Sequence, residues 1–316
     1  KSYIAGLLLA TLLPAAAFAI DIDISDATTP DEAAVNQTIA VFISSDATVS
    51  VDYTIIDGTA TNGDDYTASS GTLNFSPGNT VQSINIPILS DDIDEDIETI
   101  IINLSNPTGG AVIVDNQATL YIVDDDPEPQ ISINDDNTTE TNGTYSLAAT
   151  LNNPSSMDVS VGWRAIAGTA SDGSDFNSSQ GTLNFPAGNT SQNISISLLD
   201  DSMDEDNETV IVTLYDPVFA TLDNSTAVIT LQDDDAEPSI SAADITTTDE
   251  SVANITISLS APSSRTVAVL ATTSGITATE GTDYTATSTN VQIPPGNTFT
   301  TLSIPLNDDT LDELNE

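Results

Sequence analysis

The sequence contains no cysteine and no histidine, and its only cationic side chains are Lys1, Arg164 and Arg265. Without cysteine there is no disulfide framework and no thiolate ligand or nucleophile. Without histidine there is no imidazole zinc site, no Ser/His/Asp or Cys/His catalysis and no histidine pH switch. Lys1 is the only lysine, so the body of the chain has no amine for a Schiff base or a general base. With so few cations, nothing can neutralise phosphate, and nucleic acid is excluded as a partner. Aromatic residues make up 5% of the chain, too few to point to a stacking cleft for sugars.

What is present is acid. Asp and Glu number 49 in 316 residues, for a formal net charge of -46. A disordered acidic tail would be poor in apolar residues, whereas 39% of this chain is hydrophobic, enough to form cores. A salt-adapted solvating surface would spread its acids, yet many of these come in bursts. The stretch "SDDIDEDIET" at 90–99 places Asp91, Asp92, Asp94, Glu95, Asp96 and Glu98 within ten positions. Cation binding is the third reading of such a burst.

The first nineteen residues, "KSYIAGLLLATLLPAAAFA", have a cationic start, an apolar run from Ile4 to Leu13 and small residues on either side of Phe18. This is the pattern of a secretory leader cleaved after Ala19. The run of about ten residues is half the length a membrane helix needs. The mature chain has no other stretch long enough to span, and a secreted or cell-surface location is expected.

Self-comparison reveals a period of about 110 residues. "GTATNGDDY" at 58–66 returns as "GTASDGSDF" at 168–176 and "TATEGTDY" at 277–284. "GTLNFSPGNT" at 71–80 returns as "GTLNFPAGNT" at 181–190 and, loosely, "VQIPPGNT" at 291–298. The acidic stretch recurs as "DDSMDEDNET" at 200–209 and "DDTLDELNE" at 308–316, and "LYIVDDD" at 120–126 pairs with "ITLQDDD" at 229–235. Within each repeat apolar residues alternate, as at Ile84, Ile86, Ile88 and at Val210, Val212, Leu214. A period of two denotes strands with one buried face. Gly, Pro, Asn and Asp clusters interrupt them. Roughly seven short strands per repeat predict an all-β chain of tandem antiparallel sandwiches with immunoglobulin-like topology. The expected domains are 20–126, 127–235 and 236–316, the third incomplete because its relatives continue into a last hairpin. Tyr53, Tyr66, Phe75, Trp163 and Phe185 are expected to be core or corner aromatics.

Taken together, "GTATNGDDY", "GTLNFSPGNT", "ILSDDIDEDIETIIINLSNP" and the closing "YIVDDD" resemble the Calx-beta domain. That family is known from the calcium-binding segment of sodium/calcium exchangers, an integrin subunit and many bacterial surface proteins. The resemblance implies calcium ligands from four places: an early Glu, an Asp before an aromatic, the acidic loop and the terminal Asp triplet. In the second repeat these are Glu140, Asp175, Asp200, Asp201, Glu205, Glu208, Asp233, Asp234 and Asp235, with the Met203 carbonyl. In the first they are Glu32, Asp65, Asp91, Glu95, Glu98, Asp124, Asp125 and Asp126, with the Ile93 carbonyl. Ser90 stands where the second repeat has Asp200, which weakens the first site or makes it rely on Asp92. In the third repeat Glu250, Asp283, Asp308, Asp309, Glu313 and Glu316 match, and the closing triplet is absent. Asp94, Asp96 and Asp206 are left as solvated loop residues.

The chemistry of the residues leads to the same metal. Ca²⁺ takes six to eight oxygens from mixed carboxylate and carbonyl donors, whereas Mg²⁺ demands a tight octahedron and keeps its waters. Two carboxylates about 5 Å apart repel by roughly 3 kcal/mol at an effective dielectric near 20. A cluster of them must bind cations, take up protons or splay apart. The cluster's charge suggests more than one ion per complete repeat. An EF-hand does not fit: counting from Asp92, the sixth position is Ile97 rather than Gly and the twelfth is Asn103 rather than Glu. Recurrence of the same acids in each repeat also argues against a glycosidase pair. The expectation is a non-enzymatic, calcium-stiffened stalk or adhesion segment of a larger protein, with calcium and cell-surface or matrix molecules as partners. Two alternatives stand beside it: accessory repeats of a secreted enzyme whose catalytic domain lies outside this sequence, and an acid-rich surface without specific sites.

Overall fold

A computed structural model of the chain describes residues 19–29, 31–247 and 252–307. The expected leader falls outside the described residues up to Phe18, and so do Glu250, Asp308, Asp309, Glu313 and Glu316. Two compact units are present, Lys1–Glu128 with Asn153–Met157, and Pro129–Asn152 with Asp158–Glu316.

The first unit is built from β1 (Ile20–Ile24), β2 (Ala27–Thr28), β3 (Asn36–Ile43), β4 (Val49–Asp57), β5 (Ser70–Phe75), β6 (Val81–Pro87), β7 (Glu98–Ser105), β8 (Ala111–Ile113) and β9 (Gln117–Ile122). One sheet has the order β6-β3-β1-β8 and the other β2-β9-β7-β4-β5. The alternation read from the sequence is the alternation of burial. Ile22, Ile24, Ile39, Val41, Ile84 and Ile86 from one sheet share a core with Val51, Ile55, Phe75, Ile100, Ile102 and Leu120 from the other. Each such side chain contributes about 1.5–3 kcal/mol by leaving water.

The expected antiparallel sandwich is present, with two parallel pairs at its edges. β1 pairs in parallel with β8, and β2 in parallel with β9, at one edge of each sheet. The cause is local. The opening strand crosses between sheets at Ser25 and Asp26, and the Asp26 carboxylate accepts the Thr119 amide at 2.8 Å. Both halves therefore run alongside late strands in the same direction.

In the second unit, β10 (Gln130–Ile133) to β19 (Thr226–Gln232) repeat this plan in sheets β14-β16-β12-β10-β18 and β11-β19-β17-β13-β15. The strands between are β11 (Asp136–Thr139), β12 (Gly143–Leu151), β13 (Val159–Ala167), β14 (Phe176–Asn177), β15 (Ser179–Phe185), β16 (Ser191–Leu198), β17 (Glu208–Val218) and β18 (Thr221–Asn224). Asp135 plays the part of Asp26, accepting the Val228 amide at 2.8 Å. The third repeat follows with β20 (Ile240–Ala242), β21 (Val252–Leu259), β22 (Val267–Thr272), β23 (Ser288–Ile293) and β24 (Phe299–Pro305). Its core cluster is small, Ile257, Leu259, Val291 and Ile293, and Leu270 and Phe299 are exposed. Tyr66, Phe75 and Phe185 are buried, and Tyr53 and Trp163 pack at the core's margin, as expected.

Glycine sets the loop that carries the first candidate ligand. A Cβ on Gly58 would lie 2.4 Å from the Thr99 carbonyl oxygen, and Gly168 is crowded in the same way by Thr209. The close approach lets the Gly58 and Ala60 amides both donate to Thr99 O. Gly63 (φ 105) and Gly173 (φ 89) then turn the chain in a conformation that side-chain-bearing residues rarely adopt.

Candidate metal centre

Strand register brings the acids together. Glu98 opens β7 and lies opposite Ile122 of β9, two residues before Asp124. Glu208 opens β17 opposite Leu231, two residues before Asp233. The parallel pairing of β2 with β9 carries Glu32 to the same place, and the Thr29 hydroxyl accepts the Val123 amide at 3.0 Å. In the second repeat the Glu140 amide donates to Gln232 O at 2.9 Å. The turn supplies the remaining member: Asp65 accepts the Thr61 amide at 2.5 Å while its own carbonyl accepts the Leu89 amide at 2.9 Å. Asp175 makes the equivalent bonds with the Ser171 and Leu199 amides.

The first repeat thus gathers two carboxylate triads, Glu32 with Asp124 and Asp126, and Asp65 with Glu95 and Glu98, each with oxygens within 4.8 Å of one another. Asp91 and Ile93 line the same cleft as Asp65, Glu95 and Glu98. The second repeat gathers Glu140, Asp175 and Glu205 within 4.8 Å. Asp201 and Asp233 act electrostatically on Glu140 there, and Glu208 shares a hydrogen bond with Asp175. Asp91 and Asp201 each accept the amide two residues on, from Ile93 at 2.8 Å and Met203 at 2.7 Å. Those turns hold the loop tight around its carbonyl donors. Asp125, Asp234, Asp200 and Ser90 are exposed, and none of them belongs to a triad. In the third repeat Asp283 keeps its turn, accepting the Thr279 amide.

Proton affinities record the crowding. Partial burial, then the charges of Glu95, Asp91, Asp124 and Asp65, push Glu32 up to about 7. Glu95 reaches about 7 through partial burial and Asp65, and Glu140 reaches about 7 through partial burial, Asp175 and Glu205. Glu98 and Glu208 rise through desolvation and through the hydrogen bonds they share with Asp65 and Asp175. Asp124, Asp126, Glu205 and Asp235 rise as well, desolvation being the largest cause in each. The charges named among the main causes of these shifts are all those of neighbouring carboxylates.

The test of fit to a metal lies in two atoms. Glu98 Oε2 and Glu208 Oε2 are buried without a hydrogen-bond partner, at the same place in both complete repeats. A buried carboxylate oxygen left unpaired is costly. Clustered carboxylates with carbonyls beside them are the donor set of a hard divalent ion.

Three side chains were missed or misjudged in the sequence. Asp94 is not solvated: it is buried at 7% exposure, and so is Asp204 at 5%. Asp96 and Asp206 are exposed as expected. Asn142, which composition does not single out, brackets the loop of the second repeat. Its amide donates to Asp200 O and its carbonyl accepts the Asp200 amide, both at 3.3 Å.

With this geometry in place, comparison with known proteins identifies the class. The Calx-beta domain pattern matches residues 26–126, 124–235 and 236–316, nearly the whole chain, and the chain belongs to the Calx-beta domain family. It is similar to sodium/calcium exchanger 1 of Rattus norvegicus, 28% identical over 203 residues that cover 58% of this chain and 21% of the exchanger. It is similar also to sodium/calcium exchanger 2 of Homo sapiens, 30% identical over 190 residues, 54% of this chain and 21% of that protein. The chain spans about a fifth of the length of the curated relatives it matches. Among solved structures, CBD12 from CALX1.2 aligns with 67% of this chain and 100% of its own at 22% identity and a TM-score of 0.34. The apo-form Calx CBD1 domain aligns with 34% of this chain and 100% of its own at 31% identity and a TM-score of 0.32.

Proposed function

We propose that this chain is a calcium-binding, non-enzymatic tandem-repeat segment of a larger secreted or cell-surface protein, in which bound calcium stiffens a stalk or adhesion region. The observation that carries the calcium reading is the pair of unpartnered oxygens, Glu98 Oε2 and Glu208 Oε2, each among clustered carboxylates. The relatives of the chain, sodium/calcium exchangers, support the choice of metal. In the first repeat Glu32, Asp65, Asp91, Glu95, Glu98, Asp124 and Asp126 would hold the ions with the Ile93 carbonyl. In the second the corresponding set is Glu140, Asp175, Asp201, Glu205, Glu208, Asp233 and Asp235 with the Met203 carbonyl. Two triads in one repeat exceed the charge that a single divalent ion offsets, which supports more than one ion there.

The secreted location rests on the leader pattern at the start of the sequence. Among the described residues no helix is long and apolar enough to cross a membrane. Mechanical stiffening follows from removing the repulsion that calcium would offset. Small-angle scattering and melting with and without chelator test it. A chelator is expected to change the radius of gyration and lower the melting temperature, and no change in either would overturn the reading.

A further inference from the structure

Asp94 and Asp204 lie inside the acidic loops, one residue after the carbonyl donors Ile93 and Met203, yet neither belongs to a carboxylate triad. Both are buried by the same contact, a Pro-Ser-Ser loop. In the second unit, the Ser263 hydroxyl donates to Asp204 Oδ2 at 2.7 Å. The backbone is matched on both sides, with the Asp204 amide on Pro262 O at 3.2 Å and the Ser264 amide on Asp204 O at 2.9 Å. Ser263 is itself buried, at 1% exposure, and its hydroxyl oxygen also accepts the Arg265 amide at 3.2 Å. The Arg265 guanidinium reaches Asp204 Oδ1 at 2.9 Å, the Glu205 carbonyl at 3.2 Å and Asp206 at 3.6 Å.

The first unit contains the same lock. The Ser155 hydroxyl donates to Asp94 Oδ2 at 2.8 Å, the Asp94 amide to Pro154 O at 3.2 Å, and the Ser156 amide to Asp94 O at 2.9 Å. Ser155, like Ser263, is buried, at 2% exposure. Met157 occupies the place of Arg265. The loops received are "PSSM" at 154–157 and "PSSR" at 262–265, each between two strands of a later repeat. The corresponding hairpin of the first repeat, "SSDAT" at 44–48, is two residues shorter and has no Pro-Ser pair.

We infer that Asp94 and Asp204 are docking residues, each reading the Pro-Ser-Ser loop of the repeat that follows, and that they form a joint chemically separate from the cation ligands beside them. The partner is defined by its chemistry. It must present a proline carbonyl to the aspartate amide, a hydroxyl to the carboxylate and the next amide to the aspartate carbonyl. Alanine in place of serine would remove the hydroxyl, and threonine would add a methyl group at a buried position. Arg265 adds a charged contact in one joint only, and because it is half exposed it reinforces rather than creates the joint.

The test is amide hydrogen exchange on the full chain, read at Ser264 and Arg265, together with calcium stoichiometry. Asp204→Ala and Ser263→Ala are each expected to speed exchange at those amides by about tenfold, without changing the number of calcium ions bound. Arg265→Met, which copies Met157, should give about a twofold change. Asp204→Asn keeps an acceptor for the hydroxyl and should retain most of the protection. If Asp204→Ala unfolds the third repeat, lost protection confined to β20–β24 with Asp204→Asn intact still supports docking. Loss of a calcium ion in Asp204→Ala but not in Ser263→Ala would make Asp204 a ligand and overturn the inference. So would unchanged exchange in both alanine variants.

Discussion

In the second repeat Asp200 acts electrostatically on Asp235; in the first, Ser90 stands in its place and Asp92, two residues further on, acts on Asp126. The two loops, Ser-Asp-Asp and Asp-Asp-Ser, thus carry equal charge toward the terminal triplet from different backbone positions. The loop of the second repeat is also anchored at both the amide and the carbonyl of Asp200 by Asn142. Ala34 stands in Asn142's place in the first repeat and can do neither. The two sites therefore differ in how firmly the loop is positioned rather than in total charge. Calcium tolerates varied geometry, and its affinity follows both ligand charge and site rigidity. The second repeat should be the tighter site.

The largest effect should come from removing the ion from both sites. A ligand present at a hundredfold its dissociation constant stabilises the fold by about 2.7 kcal/mol. For domains of this size that shifts melting by on the order of 10 °C or more. Calorimetric scans with and without chelator should show both complete repeats moving, the second further; equal shifts would break the comparison.

Next come the two orphan glutamates. Glu208→Gln and Glu98→Gln should each weaken calcium binding at their own repeat by about tenfold or more. At alkaline pH, where the glutamate is ionised, the same changes should raise the melting temperature of the calcium-free protein, because a crowded negative charge is removed. A variant that lowers stability with and without calcium would mean that the glutamate is structural.

The pH dependence has a definite sign. Glu32, Glu95 and Glu140 sit at about 7 in the folded chain, above the ordinary glutamate value. Their contribution to stability is fully present below that ordinary value and is lost as pH rises through about 7. Calcium-free protein should melt higher at pH 5 than at pH 8. Calcium affinity should run the opposite way, falling as pH drops through 7, since bound ligands must be deprotonated. A titration at several pH values checks both.

Smaller effects sharpen the contrast between repeats. Asp200→Ser should lower the affinity of the second site by about three- to fivefold, and Ser90→Asp should raise that of the first by a similar factor. Asn142→Ala, which leaves every charge in place, should cost about twofold. If Asn142→Ala has no effect while Asp200→Ser has a large one, charge rather than positioning separates the sites.

Much of this is legible in the sequence. Alternating apolar residues such as Ile100, Ile102 and Leu104 marked a strand face, and they are buried together. Repetition in one chain aligned Glu98 with Glu208 and Asp65 with Asp175, and both pairs lie in the clusters. The parallel edges were not legible, because Asp26 and Asp135 look like any loop acid until the amides they accept from are known. Asp94 and Asp204 were hidden for a related reason. Their burial comes from serines about sixty residues away, and charge patterning cannot tell a ligand from a docking group. Asn142 was missed because a neutral side chain in a Thr- and Asn-rich chain carries no local signal.

Calcium titration by calorimetry in high NaCl tests the central claim most directly, because salt abolishes diffuse attraction but not a specific site. The account predicts saturable binding that persists in salt, in two unequal sets, with the tighter set weakened about tenfold or more in Glu208→Gln. Heats that vanish as NaCl is raised, or a tighter set whose affinity is unchanged in Glu208→Gln, would contradict it.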